Sequence, residues 1–192
     1  MGEPRHYVWS RKRQRLYPPE YRVPQGTITR SIKQNSIMQI DREQCIRKAE
    51  ELFMQGFNCS QSVVAAFADI YGYTEEQALR MSAGFGGGIG RLRLSCGAFN
   101  ALALLAGLDC GSVTPGDREG KSYNYKVVQE LAARFKEEHG SLICAELLKL
   151  KKGAPLTYEA SERTAEYYKQ RPCVNQIISA ARIYCDYLEQ KS

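Results

Sequence analysis

The stretch CGAFNALALLAGL, from Cys96 to Leu108, is apolar on nearly every side and carries no charged residue. A membrane span needs about eighteen consecutive apolar residues, and no segment of the chain reaches that length. A helix that is hydrophobic all round, yet too short to span, belongs at the centre of a larger fold. The flanking segments must then supply the helices that cover it.

Their patterns are helical almost without interruption. In DREQCIRKAEELFMQG, Asp41 is the N-cap, Gln44 its reciprocal partner three residues later and Gly56 the stop, with Ile46, Ala49 and Phe53 facing inward. A second helix starts behind Asn58 and runs through CSQSVVAAFADIYG to Gly72. Thr74 caps a third, where Glu75 and Glu76 suit the positive end of the helix dipole. AGFGGGIGRLRLS, residues 83–95, holds too much glycine for regular helix. After the loop DCGSVTPGD, a long helix from Arg118 to His139 repeats Tyr125, Val128, Leu131 and Phe135 on one face, and Gly140 closes it. Ser141 caps LICAELLKL, a turn or two covers TYEASERTAEYYKQ, and a last helix from Pro172 carries Val174, Ile177, Ile178, Ala181, Ile183 and Leu188. The expected fold is all-α: one compact domain of seven or eight helices over residues 38–192, without strand or repeat. At 192 residues and 43% hydrophobic content the chain can build one real core.

The formal charge of +6 lies wholly in residues 1–37, which hold eight Lys and Arg against Glu3 and Glu20. The body from residue 38 is neutral, so no phosphate-tracking surface and no nucleic-acid partner are expected. Residues 1–37 lack periodicity and contain several prolines, which reads as a disordered or irregular basic arm, with Met38 as the favoured true start. Without a secretory signal or a span, the expected compartment is the cytoplasm, where unpaired cysteines point to metal or redox chemistry rather than a disulfide framework.

There are seven cysteines and no CxxC pair. Cys59 follows the cap Asn58, Cys96 follows Ser95, Cys144 lies three residues after Ser141, and Cys173 follows Pro172. All four thus fall in the first turn of an expected helix, where unpaired N–H groups and the dipole favour a thiolate. Cys45, Cys110 and Cys185 do not share the pattern and are assigned to packing or to no role. If the four helix starts converge, four thiolates share one site.

GFNCSQSV, GFGGGIGRLRLSCGA, RFKEEHGSLIC and RPC, in that order, resemble the C_GCAxxG_C_C family of redox-active proteins, named for its cysteine pattern, over about residues 41–188. The family's four cysteines fall on Cys59, Cys96, Cys144 and Cys173. The resemblance implies a redox-linked or iron–sulfur role and a redox partner protein, but names no substrate. One departure is Ala101, where the family motif has glycine; the extra methyl is expected to tighten the space beside the site.

Iron–sulfur ligation asks for cysteine thiolates, usually four, tuned by hydrogen bonds to the sulfurs, and is the first choice. The gaps of 37, 48 and 29 residues lack the close pairs of most cluster motifs. Zinc held by the same four thiolates is an alternative. So is a dithiol–disulfide protein without metal, and so is an interaction domain whose cysteines only pack. The glycine loop does not fit a dinucleotide fingerprint, because counting from Gly84 puts Ile89 at the sixth position. Its expected role is close backbone approach beside Cys96, with Gly86, Gly87, Gly88, Gly97 and Arg91 toward a cofactor and Arg93 at the surface. His139 reads as an imidazolium ending its helix, not as a ligand. Neither a hydrolytic triad nor a paired-His string is present.

Overall fold

The computed structural model describes residues 41–191. The basic arm and the Met38 start lie outside the described residues. Eight α-helices follow in order: α1 Arg42–Met54, α2 Cys59–Ala66, α3 Glu75–Ser82, α4 Gly97–Cys110, α5 Arg118–His139, α6 Cys144–Leu147, α7 Ala165–Gln170 and α8 Cys173–Lys191. Among the described residues there is no strand, and the one extended pairing is an isolated antiparallel bridge between Ser95 and Ile143. No helix among them is long and apolar enough to cross a membrane.

Local chemistry sets the helix starts. Asp41 accepts from Gln44 N, and Asp117 Oδ1 accepts from Gly120 N at 2.8 Å. Asn58 with Gln61, and Thr74 with Gln77, form complete capping boxes. The second helix is shorter than its sequence suggests: α2 stops at Ala66, a 3₁₀ turn covers Asp69–Tyr71, and Gly72 closes it at φ 70°. At the other end of the domain, α4 runs two residues past Leu108 and includes Cys110, whose thiol donates to Ala106 O.

Helix α4 is the centre. Ala98, Ala101, Leu102, Leu105 and Ala106 are fully buried; α2, α5 and α8 pack on it, and α1 and α3 close over α2. The long helix α5 buries Val127, Leu131 and Phe135, whereas Tyr125 is exposed. The inward stripe therefore passes through Val127, because the helix turns through 3.6 residues and not three. Tyr184 on α8 is fully buried with its ring edge-on to Phe67, and its hydroxyl donates to Leu105 O at 3.0 Å. Asp186 of α8 bridges Arg42 of α1 and Arg134 of α5. Because Leu102 is wholly enclosed, Leu102→Ala is expected to lower unfolding free energy by about 2–5 kcal/mol, as measured by urea denaturation under reducing conditions.

Candidate functional site

Four helix starts face one cavity of about 270 Å³, lined by Cys59, Cys96, Cys144 and Cys173 together with Arg91, Arg93, Arg163 and Arg171. Cys59 is the first residue of α2, held by its cap: Asn58 Oδ1 accepts from Ser60 N and Gln61 N, both at 3.0 Å. Asn58 Nδ2 donates to Ala83 O at 2.9 Å, tying that cap to the glycine loop. Cys173 opens α8 directly after Pro172.

The other two starts differ from the sequence expectation. Cys96 is itself the N-cap of α4, and the Ser95 hydroxyl instead bonds Asn100 Oδ1 at 2.6 Å. Cys144 is the first residue of α6, but its cap is Ile143. Ser141 sits earlier, accepting from Ile143 N and pairing with Glu146. Both starts are displaced because the segments leading into α4 and α6 are paired through their backbones. Cys96 N donates to Leu142 O at 2.8 Å, Cys144 N to Leu94 O at 2.6 Å and Ala145 N to Arg93 O at 3.1 Å.

The glycines make room for these contacts. A Cβ on Gly97 would lie 2.4 Å from Cys59 Sγ, so the Cys59 sulfur rests against the first turn of α4. On Gly86 it would lie 2.2 Å from Asn58 Cγ, and on Gly88, at φ +72°, 2.7 Å from Cys144 Cβ. Gly86 and Gly87 line the cavity, while Gly88 and Gly97 stand behind the sulfurs. The close approach is thus to Asn58, Cys59 and Cys144 rather than to the Cys96 side chain. Ala101 is buried in the core and absent from the cavity lining, so its methyl does not narrow the site.

Arg93 is not a surface group as expected; it lines the cavity with Nη1 4.0 Å from Cys144 Sγ. Arg91 turns to the long loop before α7, donating from Nε to Thr157 O at 2.9 Å and from Nη1 to Ser161 Oγ at 3.0 Å. Arg163 and Arg171 were not singled out from sequence. Arg171 is the arginine of the RPC motif that carries Cys173, whereas Arg163 has no local signal. The remaining cysteines lie elsewhere: Cys185 of α8 is buried in the core, and Cys45 of α1 packs against that core, as does Cys110. His139 packs on Phe135 at 4.6 Å, and burial lowers its pKa below the ordinary 6.5. The ring is therefore mostly neutral at pH 7, not the expected imidazolium.

Burial governs the thiols. It raises Cys96, with repulsion from Cys59 adding to it, against the Ala98 and Phe99 amides at the start of α4. Cys173 is pushed up to about 12 by burial and by Cys59, with Arg171 opposing. Cys144 is raised by burial, with Arg93 opposing. These three thiols hold their protons at neutral pH and are poor nucleophiles in that state. Among the described residues, no three Cys, His, Asp or Glu side chains are grouped tightly enough to hold a single metal ion.

A family model described as "Putative redox-active protein (C_GCAxxG_C_C)" matches residues 57–187, leaving α1 outside the match. No curated protein and no solved structure matches the chain.

Two outcomes follow from this geometry. Gly97→Ala drives a methyl into Cys59 Sγ and is expected to cost about 1–3 kcal/mol of stability, seen as a lower urea midpoint. For Cys173, a folded pKa near 12 against an ordinary 9.0 means the folded protein binds more protons than the unfolded chain between those values. Stability of the reduced, chelator-treated protein is then complete below pH 9 and falls above it, by about 1.4 kcal/mol per pH unit from this thiol. In Cys173→Ser the decline should be shallower; an equal slope would contradict the assignment.

Proposed function

Since the chain belongs to the C_GCAxxG_C_C family of redox-active proteins, we propose that it is an electron-transfer or oxidoreductase protein whose Cys59, Cys96, Cys144 and Cys173 hold an iron–sulfur cluster. The observation that carries the reading is four thiols from four helix starts lining one cavity with four arginines and no carboxylate.

The donor set fits such a group. Clusters are ligated by cysteine thiolates, commonly four, and where each iron takes one thiolate the sulfurs need not converge on a point. That requirement is what sets zinc apart, because one tetrahedral ion with four thiolates at about 2.3 Å calls for a tight group that the described residues lack. Once bound, the cluster would supply one-electron chemistry. The protein's part is to hold the ligands and balance their charge. Arg93 faces Cys144, Arg171 favours the Cys173 thiolate, and the Ala98 and Phe99 amides favour that of Cys96. Leu147, Leu148 and Phe53 form the apolar part of the wall and limit water.

A dithiol–disulfide protein without metal is the second reading. It is favoured by the contact of Cys59 Sγ with Gly97, which brings that sulfur beside the residue next to Cys96. The raised thiols weigh against it, because disulfide exchange needs a thiolate as attacking group.

Incubating the full chain with iron and sulfide under exclusion of oxygen should give sulfide-dependent visible absorption. The absorption should be lost in Cys96→Ser and Cys144→Ser and kept in Cys110→Ser and Cys185→Ser. Because ligation must displace protons from raised thiols, uptake should weaken as pH falls below 7. Iron uptake by Cys96→Ser equal to that of the parent would sink the cluster reading. Loss of titratable thiols to an oxidised disulfide, without iron uptake, would favour the second.

A further inference from the structure

The positive charge of the cavity exceeds what its thiols can use. Arg91 spends two donors on Thr157 and Ser161, and Arg93 faces Cys144. Arg163 and Arg171 attract the Cys173 thiolate but make no hydrogen bond to a sulfur among the described residues; both are stacked on the ring of Tyr167, with their guanidinium carbons 4.5 Å and 4.6 Å from its centroid. Arg163 is also held over Phe53 at 5.0 Å and donates from Nη2 to Phe57 O at 3.3 Å. Its Nη1 is buried and has no hydrogen-bond partner. Among the described residues Arg171 makes no hydrogen bond or ion pair, only the ring contact.

Two like charges on one aromatic ring repel each other, and no residue lining the cavity carries a carboxylate to separate them. A buried donor left unmet is unfavourable, more so on a charged group. An iron–sulfur group would not resolve this. A doubly positive core with four thiolates carries two net negative charges, against the four guanidiniums of the wall. Two positive charges remain.

We propose that Arg163 and Arg171, set on Tyr167, form a subsite for a small oxyanion that enters the cavity beside Cys173. The planar guanidinium fork matches oxyanion oxygens in pairs, which a lysine or a neutral amide does not. Stacking on Tyr167 and Phe53 fixes the fork before the ligand arrives, so little side-chain freedom is lost on binding. At about 270 Å³ the cavity lies below the usual range of about 300–1,000 Å³ for drug-sized ligands, which selects a small anion over a nucleotide. The inference names the class of molecule that the redox site would act on, and rests on the redox reading for that use alone; the binding itself needs only the arginines.

The test titrates sulfate, against chloride at matched ionic strength, into the reduced full-length protein, once metal-free and once after iron and sulfide loading. Calorimetry gives affinity and thermal unfolding gives a second readout. Sulfate should bind and raise the unfolding temperature where chloride does not. Arg163→Gln and Arg171→Gln should each weaken it about tenfold or more, the size of one charge-assisted hydrogen bond, while Arg118→Gln, exposed at the start of α5, should not. Because Arg163 also supports packing, Arg171→Gln with an unchanged circular dichroism spectrum decides the matter if Arg163→Gln fails to fold. Equal effects of sulfate and chloride, or equal sulfate binding by Arg171→Gln and the parent, would overturn the subsite. Arginine-dependent sulfate binding without iron uptake keeps the subsite and removes the cluster; iron uptake without arginine-dependent binding does the reverse.

Discussion

Three backbone hydrogen bonds, from Cys96, Cys144 and Ala145 to Leu142, Leu94 and Arg93, hold the start of α4 against the start of α6. The geometry of the site follows from them. The pairing fixes two cysteines 48 positions apart in one register, and it occupies backbone groups that would otherwise be left unsatisfied at the cavity wall. It also explains why neither Ser95 nor Ser141 caps the helix behind it. Both lie in or beside the paired segments, where an extended backbone aims their hydroxyls at Asn100 and Glu146. The other two sulfurs are added to this pair, Cys59 by its approach to Gly97 and Cys173 by α8 packing on α4.

Much of this was legible in the sequence, and what was legible was local. Asn58 and Thr74 were legible as caps, and both cap as expected, each completing a box with the glutamine three residues on, Gln61 or Gln77; at Asp41, where the sequence suggested a reciprocal pair with Gln44, the Asp41 carboxylate accepts from Gln44 N. The uniform apolarity of α4 placed it at the centre, and its alanines and leucines are fully buried. The placement of the cysteines at helix starts was legible to within two residues. The arginine wall was not. Arg163 reaches the cavity only because Phe53 and Tyr167, 114 positions apart, both lie within stacking distance of it. No periodicity carries such information. Arg93 was misplaced for a related reason: its backbone sits at φ +61°, in a region that most L-residues avoid, which alters where its side chain leaves the chain.

That backbone irregularity is concentrated in one place. Ile89, Arg91 and Arg93 all have positive φ, interleaved with Gly87, Gly88 and Gly90. Each non-glycine residue in the left-handed region costs about 1 kcal/mol or more, so the loop is held in shape from outside. The restraints are visible: Gly90 N to Gly84 O, Leu94 N to Gly88 O, and the two bonds from Arg91 to the loop carrying Thr157 and Ser161. The glycines are needed where neighbours press closest, at Asn58 and at Cys144. The arginines accept strained backbone and face the cavity in return.

Electrostatics then sets how such a site behaves when nothing is bound in it. Burial keeps Cys96, Cys144 and Cys173 protonated, which removes most of their intrinsic reactivity, while the arginines leave the wall positive. A site meant to attack disulfides would be arranged the other way, with a partly exposed thiol poised as thiolate near neutral pH. The arrangement here instead suits groups that bring charge with them. The thiolate-ligated cofactor of the proposed function would displace the protons, and its net negative charge would offset part of the arginine field. The part left unbalanced, Arg163 and Arg171 on Tyr167, lies beside the cysteine that opens α8. On the proposed reading, charge balance leaves the two guanidinium groups on Tyr167 to meet an anion beside the sulfurs that the helix starts present.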